Sequence, residues 1–110
     1  YSRNGLALSN SSRTILLESL SDVPVSFQGS KQHYGYFIAK RTFILPGSID
    51  VNAYGHPGGG GGYSSLLRYS PQLDLAVSVL ANSPLKFQGA CGEYAPRSCI
   101  AAAIFGAYAD

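Results

Sequence analysis

The feature that most limits how this chain can fold is Gly55-His56-Pro57 followed by five consecutive glycines, Gly58 to Gly62, and then Tyr63-Ser64-Ser65. The run is flanked by strand-like residues on both sides. Glycine loses more backbone freedom on folding than any other residue. A block of five between two apolar strands therefore needs a reason: a turn with positive φ, or close approach of another group to the backbone. Three familiar glycine motifs do not fit. A phosphate-binding loop ends in Gly-Lys-Ser/Thr, and no lysine follows these glycines. The dinucleotide pattern Gly-x-Gly-x-x-Gly is interrupted by Pro57 or Tyr63 and should lead into a helix, whereas a strand follows. A nucleophile elbow fails because Ser64-Ser65 is followed by Leu66.

The neighbouring segments supply the rest of the pattern. His33 to Lys40 is aromatic and β-branched and reads as a strand, which Arg41 to Leu45 extends or pairs with. Pro46-Gly47-Ser48 signals a turn, and Ile49 to Gly55 leads into a strand placed near Ala53 to Gly59. Pro57 cannot donate to a ladder, so the strand should be an edge at that point. Tyr63–Tyr69 and Leu75–Asn82 form a hairpin around Ser70-Pro71-Gln72-Leu73-Asp74, with Pro71 suited to position i+1 of a type I turn. Leu75, Val77, Val79 and Ala81 share one face and Ala76, Ser78 and Leu80 the other, a two-sided apolar pattern expected of a central strand. Capping residues Ser9 to Ser12 precede a short helix over Thr14–Leu20, with Leu16, Leu17 and Leu20 on one face. Val25 to Gln32 reads as loop. A second helix spans Arg97 to Ala109, its apolar face made by Ile100, Ala103, Ile104, Ala107 and Tyr108. The expected class is α+β: an antiparallel sheet of three to four strands flanked by a short N-terminal helix and a C-terminal helix, in a single unit over residues 1–110.

Composition narrows the function. The net charge is +2 and no basic stripe is present, which argues against a nucleic-acid partner. No apolar run is long enough for a membrane-spanning helix. Only 13% of residues are charged, against about 25% in an average globular protein. That, with 13 glycines and 8 tyrosines, suits a secreted or cell-envelope protein. The chain has no methionine and opens without signal-peptide character, so it reads as processed, trimmed or a fragment. Cys91 and Cys99 enclose a loop containing Gly92 and Pro96, which eases closure of a disulfide; buried thiols are the other reading of this pair. A bridge would place the protein in an oxidising compartment. The spacing of cysteines and histidines gives no metal site, and no cofactor is called for.

His56-Pro57-Gly58-Gly59, further glycines, Tyr63-Ser64-Ser65, a short strand, a proline turn ending in Asp74, and Leu75 to Ser83 together resemble the C-terminal part of the serine β-lactamase-like hydrolases. This superfamily includes class C β-lactamases, D-alanyl-D-alanine carboxypeptidases, D-aminopeptidases and related esterases. The resemblance covers roughly Tyr34 to Asp110. It places His56-Pro57-Gly58 at the family's third motif, Lys-Thr-Gly or His-x-Gly. It implies an acyl-enzyme mechanism on ester, D-peptide or β-lactam substrates. His56 would stand in for the motif lysine as a proton relay or carboxylate partner, the N–H of Gly59 would donate to the oxyanion, Gly58 and Gly59 would let substrate lie against the backbone, and Tyr63 would stack on it. Pro57 removes a hydroxyl that commonly helps bind a carboxylate, which favours ester or peptide substrates over penicillins.

The family's nucleophile motif Ser-x-x-Lys has no counterpart at the proper place. Ser83-Pro84-Leu85-Lys86 matches it as a string but follows the last strand, and Tyr1-Ser2-Arg3-Asn4 has one residue too many for the family's Tyr-x-Asn. The chain is thus expected to be a C-terminal segment whose missing N-terminal part carries the nucleophile, inactive on its own and poorly soluble where the sheet lacks its cover. The competing reading is a non-catalytic secreted binding module, or a degenerate remnant of the family, that takes peptide along the edge near Pro57.

Overall fold

The computed structural model describes residues 7–27, 30–45, 49–82 and 96–109. In chain order the elements are α1 (Asn10–Glu18), β1 (Val25–Phe27), β2 (Ser30–Tyr34), β3 (Ala39–Leu45), β4 (Ile49–Gly60), β5 (Tyr63–Ser70), β6 (Leu75–Ala81) and α2 (Pro96–Tyr108). Every strand pairs antiparallel with the next in sequence, so the sheet order is β1 to β6 without a crossover. Strands β2 to β6 form the main five-stranded ladder, which the short β1 extends through three residue pairs. The class is α+β, as expected, with more strands than the three to four read from sequence. The difference arises in two places. Val25 to Gln32, read as loop, contributes β1 and most of β2. His33 to Lys40, read as one strand, is broken by a turn in which Gly35 N donates to Ile38 O and Phe37 takes a left-handed φ of 55°.

That break docks α1 on the sheet. Ser9 caps α1 in an extended conformation, its Oγ accepting from the N–H of Ser12 at 3.1 Å. At the other end, the Oγ of Ser19 accepts from the N–H of Tyr36, and Ser21 exchanges bonds with the backbone of Tyr34. Gly35 lies so close to this helix end that a Cβ there would sit 2.2 Å from Ser19 Oγ. Of the expected apolar face of α1, Leu16 and Leu20 are half-buried and Leu17 is exposed.

The core lies between one face of the sheet and α2. Phe43, Leu45, Val51, Ala53, Leu66, Val77 and Val79 meet Ala101 and Phe105, and the rings of Phe43 and Phe105 pack with centroids 5.6 Å apart. Helix α2 is rotated from the face read in sequence. Ser98, Ala101 and Phe105 are buried, while Ala103, Ala107 and Tyr108 face outward. The helix is apolar almost all round, and Phe105, its largest side chain without a polar atom, marks the buried face while Tyr108 stays exposed. Strand β6 also differs from expectation. Among the described residues it pairs with β5 alone, and only its Val77–Val79 face is covered; Leu80 on the opposite face is 82% exposed.

The glycine run divides by role. Gly60 pairs with Tyr63, and the two residues between them, Gly61 and Gly62, have φ of 60° and 86°. Positive φ at both central positions is the requirement of a two-residue hairpin turn matched to strand twist. Around Gly60 there is open space. Gly61→Ala is therefore expected to lower stability by about 1 kcal/mol, and Gly60→Ala to change it by less than about 0.5 kcal/mol, as a surface substitution does; chemical denaturation of the two variants measures the contrast.

Candidate functional site

The site is built where β4 runs past its neighbour. The β3–β4 ladder ends at the Ala39–Gly55 pair, whereas the β4–β5 ladder continues to Gly60–Tyr63. From His56 to Gly60, β4 thus has β5 on one side and no ladder partner on the other among the described residues. Pro57 falls in this stretch, where a residue lacking an N–H is tolerated. Gly55 makes the transition. Its φ is 156°, and a Cβ added to it would lie 1.9 Å from the carbonyl oxygen of Leu67 on β5. Only a residue without a side chain fits there. Gly58 is similarly pressed, its hypothetical Cβ 2.5 Å from Ser65 Oγ, while a Cβ on Gly59 would make ordinary contacts.

His56 is held at both ring nitrogens. Nδ1 is 2.5 Å from the carbonyl oxygen of Pro57, and Nε2 is 2.8 Å from the hydroxyl of Tyr34. A carbonyl can only accept, so Nδ1 carries the proton. In the neutral ring Nε2 is then an acceptor, and the Tyr34 hydroxyl donates to it. The two rings meet edge-on, with centroids 5.7 Å apart. Tyr34 is the last residue of β2, delivered to this point by the turn that separates β2 from β3. The second histidine, His33, donates from Nδ1 to the backbone carbonyl of Ser21 at 2.7 Å and serves the α1 docking instead.

An arginine group lies beside the motif strand. Arg97, in the first turn of α2, donates from Nη1 to the carbonyl of Gly58 at 2.6 Å. Arg41 donates to Ser98 Oγ at 3.0 Å and stacks over the ring of Phe43. Arg68 is fully buried, bonded to the Ala39 carbonyl at 2.8 Å and to the side-chain oxygen of Gln32. Burial foremost, then the nearby charges of Arg41 and Arg97, pulls Arg68 down to about 10, which still leaves it charged at neutral pH. Burial also lowers Arg97 below its ordinary value. These arginines tie β2, β3, β4 and α2 together through neutral oxygens.

The structure separates the residues singled out in the sequence. His56 joins Tyr34, and Gly58 joins Arg97. Gly59 and Tyr63 line a different feature, an open concavity of about 710 Å³ bordered also by Gly60, Ser65, Leu80 and Asn82. His56 and Gly58 do not line it. Cys99 is half-buried in the first turn of α2; its expected partner Cys91 lies outside the described residues, as does Ser83-Pro84-Leu85-Lys86. Among the described residues there is no cluster of three or more His, Cys, Asp or Glu, and no helix long and apolar enough to cross a membrane.

Two residues of the site escaped sequence reasoning. Tyr34 stands in a run of aromatic strand residues that alternation alone assigns to packing, and its meeting with His56 depends on the unforeseen turn at Gly35. Arg97 reads in sequence as a helix-start residue; its reach to Gly58 is a long-range contact with no local signal. No protein-family model matches this chain, and neither a curated protein nor a solved structure does.

Proposed function

We propose that this chain is one wall of an acyl-transfer site of the serine β-lactamase-like type, the C-terminal segment of a hydrolase acting on esters or D-peptides. The observation that carries the reading is His56, held at both ring nitrogens on a stretch of β4 that, among the described residues, has a ladder strand on one side only and continues into Gly58 and Gly59. In this reading substrate lies along His56 to Gly59, and the N–H of Gly59 donates to the developing oxyanion. His56 Nε2, the ring's basic nitrogen, moves a proton at the reacting centre. Tyr63 meets the substrate only where it extends past Gly59 into the adjoining concavity. The nucleophilic serine and its lysine come from a segment outside this chain. Cys91 and Cys99 form a structural bridge, and the protein works in an oxidising compartment, secreted or in the cell envelope.

The test is the replacement of His56 by Ala in the longer gene product. Loss of a positioned proton-transfer group is expected to lower kcat/KM toward a p-nitrophenyl ester by about 10²-fold or more, with the thermal midpoint little changed. Unchanged turnover would remove His56 from the mechanism. A second reading, a non-catalytic binding module, is favoured by the concavity beside Tyr63 and Leu80, both largely exposed. It requires that a bound peptide perturb Tyr63 and Leu80 while leaving His56 untouched.

A further inference from the structure

We propose that Tyr34 is an imidazole-activated phenol that accepts an acyl group from an activated ester, with His56 as its base. The inference stands on the geometry of these two residues and is independent of the hydrolase reading, because every participating atom belongs to this chain. The arrangement is hydroxyl, imidazole, fixed acceptor: Tyr34 Oη to His56 Nε2 at 2.8 Å, and His56 Nδ1 to the Pro57 carbonyl at 2.5 Å. This is the order of parts that activates a hydroxyl nucleophile: the base within hydrogen-bond reach, and a third group fixing which nitrogen is basic. The Pro57 carbonyl takes the place of a carboxylate. It fixes the tautomer and, having no side chain to rotate, keeps it fixed.

The environment of the other phenols sharpens the contrast. Tyr69 donates to the carboxylate of Asp74 at 2.7 Å, so its hydroxyl meets a carboxylate and not a ring nitrogen. Tyr36, Tyr63 and Tyr108 are largely exposed, and exposure alone would make them the ones to react first. Tyr34 is only half-buried and lies on a basic nitrogen. In the step, Tyr34 Oη attacks the ester carbonyl carbon and its proton passes to His56 Nε2. The bond from that carbon to the leaving oxygen breaks, and the leaving group departs as an alkoxide or phenolate. The proton on Nε2 then returns to solvent or to the leaving oxygen. The product is an aryl ester on Tyr34, with one leaving group released per chain.

The experiment treats the 110-residue chain with p-nitrophenyl acetate and follows acetylation of each tyrosine by peptide mass spectrometry. Tyr34 is expected to be acetylated about 10-fold faster than Tyr63 or more, the lower range of general-base assistance. In His56→Gln the Tyr34 rate should fall to or below that of Tyr63, whose own rate stays constant. Nitrogen-15 spectra of the unmodified chain should show His56 protonated at Nδ1, which checks the tautomer without reference to reactivity. Equal labelling of Tyr34 and Tyr63, or a Tyr34 rate unaffected by His56→Gln, would overturn the proposal. Neither result bears on whether a longer product hydrolyses esters catalytically.

Discussion

Gly55→Ala is expected to destabilise the chain by about 3 kcal/mol, the upper end of the usual range for forced overpacking. The added methyl carbon would sit 1.9 Å from the Leu67 carbonyl oxygen and 2.9 Å from its carbon, both backbone atoms. No side-chain rotation relieves such a contact, so the β4–β5 ladder itself must shift. The positive φ of Gly55 adds strain. A domain of this size has about 5–15 kcal/mol of stability in total, so the loss is a large fraction of it. A urea titration should show a markedly lower midpoint with little change in slope. Because Gly55 precedes His56, the same variant should release the histidine from Tyr34. A midpoint within experimental error of the parent would mean that the β4–β5 register is not the one described.

Phe43→Ala is expected to cost about 3–5 kcal/mol, the usual range for truncating a buried aromatic residue. Phe43 is wholly buried between the sheet and α2, against Phe105 and under the guanidinium of Arg41. Helix α2 meets the sheet through Ala101 and Phe105 in the core, Ala102 and Ile104 packed beside them, and the arginine bonds at its start. Removing the ring leaves a cavity at the centre of that contact. The expected signature is regional: amides of α2 should lose hydrogen-exchange protection before those of β4 and β5. Uniform loss across the chain would place Phe43 in the sheet's own stability instead of at the helix contact.

These two sites also show what could be read from the residues and what could not. The hairpin β5–β6 was legible, because alternation of Leu75, Val77 and Val79 around a proline turn leaves little choice of register. So was α2, read over Arg97 to Ala109 and found over Pro96–Tyr108, with proline in the first turn, where it is tolerated. Its buried face was not, since a helix that is apolar on every side carries no periodic signal. The turn at Gly35–Ile38 was hidden by aromatic residues that favour strands. It is set by a tertiary contact, the approach of Gly35 to Ser19. The candidate site divides along the same line. His56 and the glycines were visible as an unusual string, but their partners Tyr34 and Arg97 lie 22 and 39 residues away from the atoms they touch. Gly59 and Tyr63 were grouped with His56 by the family resemblance, whereas the fold places them at the concavity near β6.

The most direct test of the acyl-transfer assignment is to read the encoding frame upstream of Tyr1 and assay its product with chromogenic ester and β-lactam substrates. The expected result is a frame that continues for a full catalytic segment, carries Ser-x-x-Lys followed by Tyr-x-Asn, and yields a protein that turns over the ester and is inactivated when that serine is replaced. A frame that opens with a signal peptide immediately before Tyr1, giving a product without ester turnover, would contradict the assignment and make the chain a secreted binding module.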